Sequence, residues 1–299
     1  MADRRLQVFH AVAKQMSFTK AADVLFMTQP AVTFQIKQLE EHFNTRLFER
    51  GHGKISLTPA GDVVLKYAEK ILSLSAELDT RLREMTGRLS GPLLVGASMT
   101  IAEFMLPRVL GEFKSQNPEV QPKLTVGNSE AIEGRVAEHT LDVGLIEAPT
   151  HQPSLLTEVV CEDELQLIVA PKHPLAKLKS VSPKQLVGHA FVRRESGSGT
   201  REFTDLYLSK AGVADSELDI IMELGSSEAI KGVISTGLGF GILSRVTVAK
   251  EQRLGELVSI PLEPKLLRTL SMVYPKEKFR SRLVNTFIDF AKQRLKDVS

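Results

Sequence analysis

The chain has 299 residues, 42% of them hydrophobic and 25% charged, with a formal net charge of +2. That length accommodates two domains of ordinary size, and that composition excludes wholesale disorder. A single cysteine excludes an intramolecular disulfide framework and fits a reducing compartment.

The amino terminus, Met1-Ala2-Asp3-Arg4-Arg5, is charged and runs directly into an amphipathic pattern without the apolar stretch of a secretory signal. No segment approaches the roughly 18 uncharged apolar residues of a membrane helix. A cytoplasmic protein with no membrane partner is expected. Charge is unevenly distributed: residues 1–60 carry 8 Lys/Arg against 5 Asp/Glu, whereas residues 91–299 carry 25 against 26. The basic excess at the amino terminus is compatible with phosphate contacts there.

Leu6, Phe9, Val12 and Ala13 recur at helical spacing and predict a first helix over residues 3–15. Ser17-Phe18-Thr19 supplies a cap for a short second helix, Lys20–Leu25, whose small Ala21 and Ala22 permit close packing. Thr28 caps a third helix reaching His42, with Pro30 in its first turn, where a missing N–H is harmless. A short helix, a tight turn and a capped helix form a helix-turn-helix pattern. The third helix displays Thr28, Gln29, Thr33, Gln35, Lys37 and Gln38, groups suited to base edges and phosphates. Leu47–Thr58 reads as a two-stranded ribbon with Arg50, His52 and Lys54 at its tip, suited to a wing along a DNA backbone. The competing reading is a small solvated helical bundle with a hairpin.

The motifs Phe18-Thr19-Lys20-Ala21-Ala22, Thr28-Gln29-Pro30-Ala31-Val32-Thr33, Ile36-Lys37-Gln38-Leu39-Glu40, Leu47-Phe48-Glu49-Arg50 and Leu57-Thr58-Pro59-Ala60-Gly61 resemble, in order and spacing, the DNA-binding domain of LysR-type transcriptional regulators. The resemblance implies that the third helix enters the major groove of double-stranded promoter DNA and that the wing touches backbone or minor groove. Gln29, Pro30, Ala31, Thr33 and Arg50 match the family motif. Thr28 and Thr33 stand where many members have Ser, which keeps the hydroxyl.

From Thr58-Pro59 a long helix follows. Val64, Ala68, Ile71, Ser75, Leu78, Leu82 and Met85 alternate spacings of four and three, a heptad seam interrupted by Ser75. The seam can pack on the chain's own second domain or on a second copy; the small size of the amino-terminal unit favours the second copy. The family resemblance likewise implies a homodimer through this helix, commonly assembled into a homotetramer, with RNA polymerase as a further partner. Ser90-Gly91-Pro92 ends the helix.

Beyond Leu93, short apolar strands alternate with helices, the signature of an α/β domain. Leu93–Ala97, Leu124–Val126 and Asp142–Ile146 belong to one lobe; Leu165–Ala170, Ala190–Val192 and Gly241–Leu243 belong to a second. The strand Leu270–Tyr274 and the helix Ser281–Leu295 return to the first lobe by resemblance. Thr100 is expected to cap a helix in a capping box with Glu103. The segment Gly127-Asn128-Ser129-Glu130-Ala131-Ile132-Glu133-Gly134-Arg135-Val136 recurs 98 residues later as Gly225-Ser226-Ser227-Glu228-Ala229-Ile230-Lys231-Gly232-Val233-Ile234, with six of ten positions identical. Each copy opens a helix after a strand.

Two further strand-to-helix turns, Ser98-Met99-Thr100 and Ser196-Gly197-Ser198-Gly199-Thr200, share this chemistry. Helix starts offer free N–H groups and partial positive charge, and open α/β sheets bind ligands at the carboxyl ends of their strands. The candidate effector site comprises Ser98, Met99, Thr100, Ser129, Glu147, Ser198, Gly199, Thr200, Ser226 and Ser227. Its expected ligand is a small anion held without an adjacent Lys or Arg; Glu147 and Glu195 would repel an anion if they pointed inward. The alternative is that every cap is structural. Residues 195–202 and 223–245 look like the LysR-type effector domain, above all in its sulfur-metabolism and carbon-fixation activators. That resemblance implies the periplasmic-binding-protein fold and makes inorganic sulfur oxyanions the leading effector class, ahead of small carboxylates.

No enzyme motif appears. Gly237-Leu238-Gly239-Phe240-Gly241 lacks dinucleotide-loop spacing, Ser196–Thr200 lacks a P-loop lysine, and the seven His residues show no metal-ligand spacing. The expectation is therefore an all-α winged helix-turn-helix over residues 1–60 and a linker helix with hinge over 61–90. A two-lobed α/β effector domain follows over 91–299. Lobe I takes about 91–161 with 268–299, lobe II takes 162–267, and the hinge lies near Cys161 and Leu267. No cofactor, metal or catalytic residue is expected. A solute-binding protein of a transport system would share the lobes but not the helix-turn-helix.

Overall fold

The computed structural model describes residues 3–51, 54–84, 88–276 and 280–295. The chain divides into two compact units, Met1–Arg88 and Leu89–Ser299.

In the first unit, α1 (Arg4–Gln15), α2 (Phe18–Leu25) and α3 (Gln29–Phe43) precede a ribbon, β1 (Phe48–Gly51) and β2 (Lys54–Leu57), and the long helix α4 (Pro59–Glu84). The caps act where the sequence puts them. Ser17 Oγ accepts from Lys20 N–H, and Thr28 Oγ1 accepts from Ala31 N–H. Val8, Phe9, Val12, Ala21, Ile36, Leu39 and Leu47 form the core. Phe48 anchors the ribbon by packing its ring 5.3 Å from Phe9 and 5.7 Å from Phe18. The two strands are antiparallel, with Arg50 opposite Ile55 and Gly51 opposite Lys54.

The expected seam of α4 needs correction. Ala68 is fully buried and Val64 is partly buried, both in the core of this same unit. Packing on α1 claims them, reinforced by Lys14 Nζ at 3.0 Å from Glu69. The exposed apolar row is instead Tyr67, Ile71, Leu74, Leu78 and Leu82. Leu74, rather than Ser75, continues the row, and Met85 lies outside the described residues.

The second unit is built on a nine-stranded sheet. Lobe I contains β3 (Gly91–Ser98), β4 (Val120–Gly127) and β5 (Val143–Ile146), with helices α5 (Leu106–Gln116) and α6 (Ser129–Ala137). Lobe II contains β7 (Ala190–Arg194), β8 (Asp219–Leu224), β9 (Phe240–Ser244) and β10 (Val258–Ile260). Its helices are α7 (Gly199–Lys210), α8 (Ser227–Ser235) and α9 (Ala249–Leu254). Strands within each lobe pair in parallel around β3 and β7. Two long antiparallel strands, β6 (Leu155–Val169) and β11 (Leu266–Pro275), run through both lobes and make the sheet continuous. The carboxy-terminal helix α10 (Arg282–Leu295) packs on α5 through Phe287 against Phe113, together with Leu270 and Met272 of β11. Lobe II has its own core around Leu167, Phe191, Phe240 and Ile260.

Thr100 does not cap a helix. Its backbone is already helical, its side chain makes no cap bond, and Ile101–Met105 forms a π-helical turn leading into α5. Pro107, in the first turn of α5, cannot give an N–H to the preceding turn, which the wider turn accommodates.

Candidate functional site

Helix α3 presents two kinds of surface. Val32, Ile36 and Leu39 face the core, while Thr28, Gln29, Lys37 and also Phe34 are exposed. Ala31, Thr33 and Gln35 are half-buried. The Thr33 hydroxyl donates to the Gln29 carbonyl at 3.0 Å, so its lone pairs rather than its proton remain for an outside partner. Sequence reasoning passed over Phe34, which is 56% exposed on the polar side of the helix. Of the wing residues, Arg50 is the third residue of β1 and Lys54 the first of β2, and His52 falls outside the described residues.

The second unit brings its four hydroxyl-bearing turns together at one crevice between the lobes. Asn128 caps α6 through Oδ1 to Ala131 N–H at 2.9 Å, while its Nδ2 donates across the crevice to the Ser196 carbonyl at 3.2 Å. The repeated turn places Ser226 as the cap of α8, through Ala229 N–H at 3.4 Å. Ser98, Thr100, Ser129, Ser198, Thr200 and Ser227 are all buried, and Met99 is half-buried. Gly197 holds φ at +80°, the left-handed conformation that lets the loop fold back over α6. A Cβ there would lie 2.5 Å from Glu130 Oε2.

Glu147, one residue past β5, points into the crevice and is 2% exposed. Its carboxylate accepts from Thr100 N–H at 2.9 Å and from the Thr200 hydroxyl at 3.4 Å. Arg268 on β11, fully buried, meets it at 2.5 Å. The other edge of the guanidinium meets Asp163 on β6 at 2.6 Å, and Nη1 also donates to Thr200 Oγ1 at 2.8 Å. Burial pushes the Glu147 carboxyl up, and the Arg268 and Arg194 charges more than reverse this, so that it sits below the ordinary carboxylate value. Arg194, also buried at the end of β7, pairs with Glu195 at 2.8 Å and approaches Ser227 Oγ at 3.4 Å.

The expectation of an anion site without a nearby cation is thus corrected: two buried arginines stand in it. A lone Arg268 amid the apolar strand Leu266–Pro275 was the sequence signal for one of them. Two hydroxyls are left over. Ser198 Oγ is buried without a partner, and Ser98 Oγ is buried beside Glu147 without a well-formed hydrogen bond. Buried polar atoms in this state are uncommon and call for a partner. Among the described residues no three His, Cys, Asp or Glu side chains gather as a metal would need, and no helix is long and apolar enough to cross a membrane. Cys161 is half-buried on β6, its thiol pushed up by burial to about 11, which makes it a poor nucleophile.

Two family patterns match this architecture. The bacterial regulatory helix-turn-helix of the lysR family covers residues 4–62, and the LysR substrate binding domain covers residues 86–296. A probable RuBisCO transcriptional regulator of Porphyra purpurea is 36% identical over 95% of this chain and 90% of its own length. The regulatory domain of Synechocystis CcmR, solved in complex with 2-PG, is 29% identical and aligns with a TM-score of 0.64 over 69% of this chain and 99% of that one. CbnR, a LysR family transcriptional regulator, shares the fold from end to end, with a TM-score of 0.67 at 22% identity over 99% of this chain and 100% of that one. The chain therefore belongs to the LysR family of transcriptional regulators, pairing a helix-turn-helix unit with a two-lobed effector-binding domain, and it is not an enzyme.

Proposed function

We propose that this regulator binds an inverted-repeat operator as a homodimer, and as a homotetramer on adjacent sites, and that a small anion bound between the lobes switches it. On DNA, Gln29, Thr33 and Gln35 read base edges, Phe34 packs against thymine methyl groups, and Lys37, Arg50, His52 and Lys54 contact phosphate. Thr28 and Ala31 fix the start of α3 against the backbone. The exposed row Tyr67, Ile71, Leu74, Leu78 and Leu82 pairs the two chains. RNA polymerase is the partner through which promoter occupancy acts.

In the effector domain, Ser98, Met99, Thr100, Ser129, Ser198, Gly199, Thr200, Ser226 and Ser227 surround the ligand, with Arg268 as counter-ion and Arg194, paired with Glu195, nearby; the inward-pointing Glu147 opposes an anion for as long as it stays there. The observation that carries this reading is the pair of buried, under-bonded hydroxyls, Ser98 and Ser198, one from each lobe, in the turns leading to Thr100 and Thr200, both of which the buried Arg268 reaches. Among anions, the likeness to a domain bound to 2-PG (2-phosphoglycolate) favours a small phosphorylated carboxylate over an inorganic sulfur oxyanion. The similarity to probable RuBisCO regulators favours carbon-fixation genes as targets. Calorimetry on the full chain tests the site: 2-phosphoglycolate should bind, sulfate and thiosulfate more weakly, and Ser98→Ala with Ser198→Ala should weaken binding without unfolding. Uptake of neutral or cationic solutes alone would sink the anion reading and leave the family membership intact.

A further inference from the structure

We propose that Glu147 is a built-in anion standing in the effector site, and that the acidic group of the effector takes its place on Arg268. The inference rests on the reading of the interlobe crevice as the effector site. Glu147 is held as a free carboxylate or phosphate would be held. It accepts from the Thr100 N–H of lobe I at 2.9 Å, from the Thr200 hydroxyl at the start of α7 in lobe II, and from Arg268 Nη1 at 2.5 Å. A helix-start N–H, a hydroxyl at a second helix start and a guanidinium are the donors that small acids use.

The charges make Glu147 the dispensable member. Arg268 already has a full partner in Asp163, through Nε at 2.7 Å and Nη2 at 2.6 Å, and Asp163 is itself fixed by Ser244 Oγ at 2.7 Å. Two buried carboxylates therefore share one guanidinium, while the other arginine in the crevice is committed to Glu195. When Glu147 leaves, Arg268 keeps a counter-ion and no isolated charge is buried. If an anionic effector entered while Glu147 stayed, three anions would crowd one cation in a site of low dielectric. Exchange avoids both costs. It also has a route: the Glu147–Thr200 and Arg268–Thr200 bonds both span the lobes, so parting the lobes breaks them and admits water to Glu147 in the same step.

The test compares two neutralising variants of the full chain, Glu147→Gln and Asp163→Asn, each titrated calorimetrically with 2-phosphoglycolate and separately with inorganic phosphate. Gln keeps one acceptor for Thr100 N–H, while its NH2 replaces the oxygen that accepted from Arg268 and Thr200, so the competing charge and its hold on Arg268 are removed together. Exchange predicts that E147Q binds both probes at least about tenfold more tightly than the native chain. D163N removes an equal charge from the same guanidinium but leaves Glu147 in place, and should gain no more than about threefold. Circular dichroism and thermal melts establish that each variant is folded; if E147Q does not fold, Glu147→Ala serves in its place. Equal gains in the two variants would reduce the effect to general charge and overturn the exchange. A native chain that binds 2-phosphoglycolate alongside an E147Q variant that binds it no better would overturn the exchange and leave the effector site standing. Absence of binding in every chain would remove both.

Discussion

Gly199 lies so close to the Glu147 backbone that a Cβ built on it would stand 2.5 Å from the Glu147 carbonyl oxygen and 2.7 Å from its carbon. Both neighbours are main-chain atoms and cannot rotate away. Gly199→Ala should therefore hold the lobes apart, at an overpacking cost of about 1–3 kcal/mol to the closed arrangement. Small-angle scattering should show an expanded effector domain, and anion affinity should fall in proportion. A variant as compact as the native chain with unchanged affinity would show that the lobes need not approach this closely.

On DNA, Gln29→Ala and Thr33→Ala should each cost about 1–3 kcal/mol of operator affinity and relax specificity at the base pairs they read. Thr33→Ser, which preserves the hydroxyl that bonds to the Gln29 carbonyl, should be nearly neutral. Lys37→Ala should weaken all sequences alike and shallow the salt dependence by about one unit of slope. Quantitative footprints at several salt concentrations separate the two behaviours; unchanged affinity for Gln29→Ala and Thr33→Ala would displace α3 from the groove.

The corrected seam on α4 separates assembly from folding. Leu74→Glu and Leu78→Glu alter side chains 64% and 51% exposed within the unit and should impair dimerisation in sedimentation experiments while leaving its helicity intact. Ala68→Glu places a charge where the native side chain is fully buried, at a cost of several kcal/mol, and should unfold the amino-terminal unit instead. If Leu74→Glu left the oligomer unchanged, the exposed row would not be the pairing surface.

His151 of lobe I lies 3.1 Å from Glu202 of lobe II. The hydrogen bond to Glu202, and then its charge, raises the His151 value above its ordinary 6.5. A raised histidine contributes fully below its unpaired value and loses that contribution as pH rises through the paired one. The closed arrangement should therefore be favoured near pH 6 and released progressively above about 6.5. The pair is largely exposed, so the effect should be small and salt-sensitive. Scattering measured from pH 5.5 to 8 should show this trend in the native chain and lose it in Glu202→Gln; an identical trend in that variant would assign the pH response elsewhere.

The amino-terminal unit was readable because its signals are local. Ser17, Thr28 and Pro30 sit within a few residues of the helices they start, and Val32, Ile36 and Leu39 mark one face at the helical period. Ala68 misled because an apolar residue at heptad spacing does not say which neighbour it meets; packing on α1 settled that. The repeated Ser-Glu-Ala-Ile announced two helix starts at the crevice, and both are capped as expected. Their difference mattered as much as their likeness, since only Asn128 has an amide left to cross to Ser196. Before Leu165, β6 has only the short apolar stretches Leu155-Leu156 and Val159-Val160-Cys161, separated by Thr157-Glu158 and followed by Glu162-Asp163-Glu164, so little local marked it as a long strand. Arg194 stayed hidden, and the lone Arg268 in its apolar strand gave no hint of its partners, for a related reason: what ties them to the site is their contact with Glu147, Asp163 and Ser227, and those residues are scattered along the chain.

Strands β6 and β11 are paired rung by rung from Leu165 opposite Leu266 to Leu155 opposite Pro275, with one register shift between Leu270 and Ser271. Sliding such a ribbon along itself would break every rung at once, whereas twisting it distributes a small change over many backbone angles. Lobe I and lobe II are therefore free to turn about the ribbon but not to glide past each other. On the proposed reading, an anion in the crevice would act by turning one lobe against the other about this one ribbon.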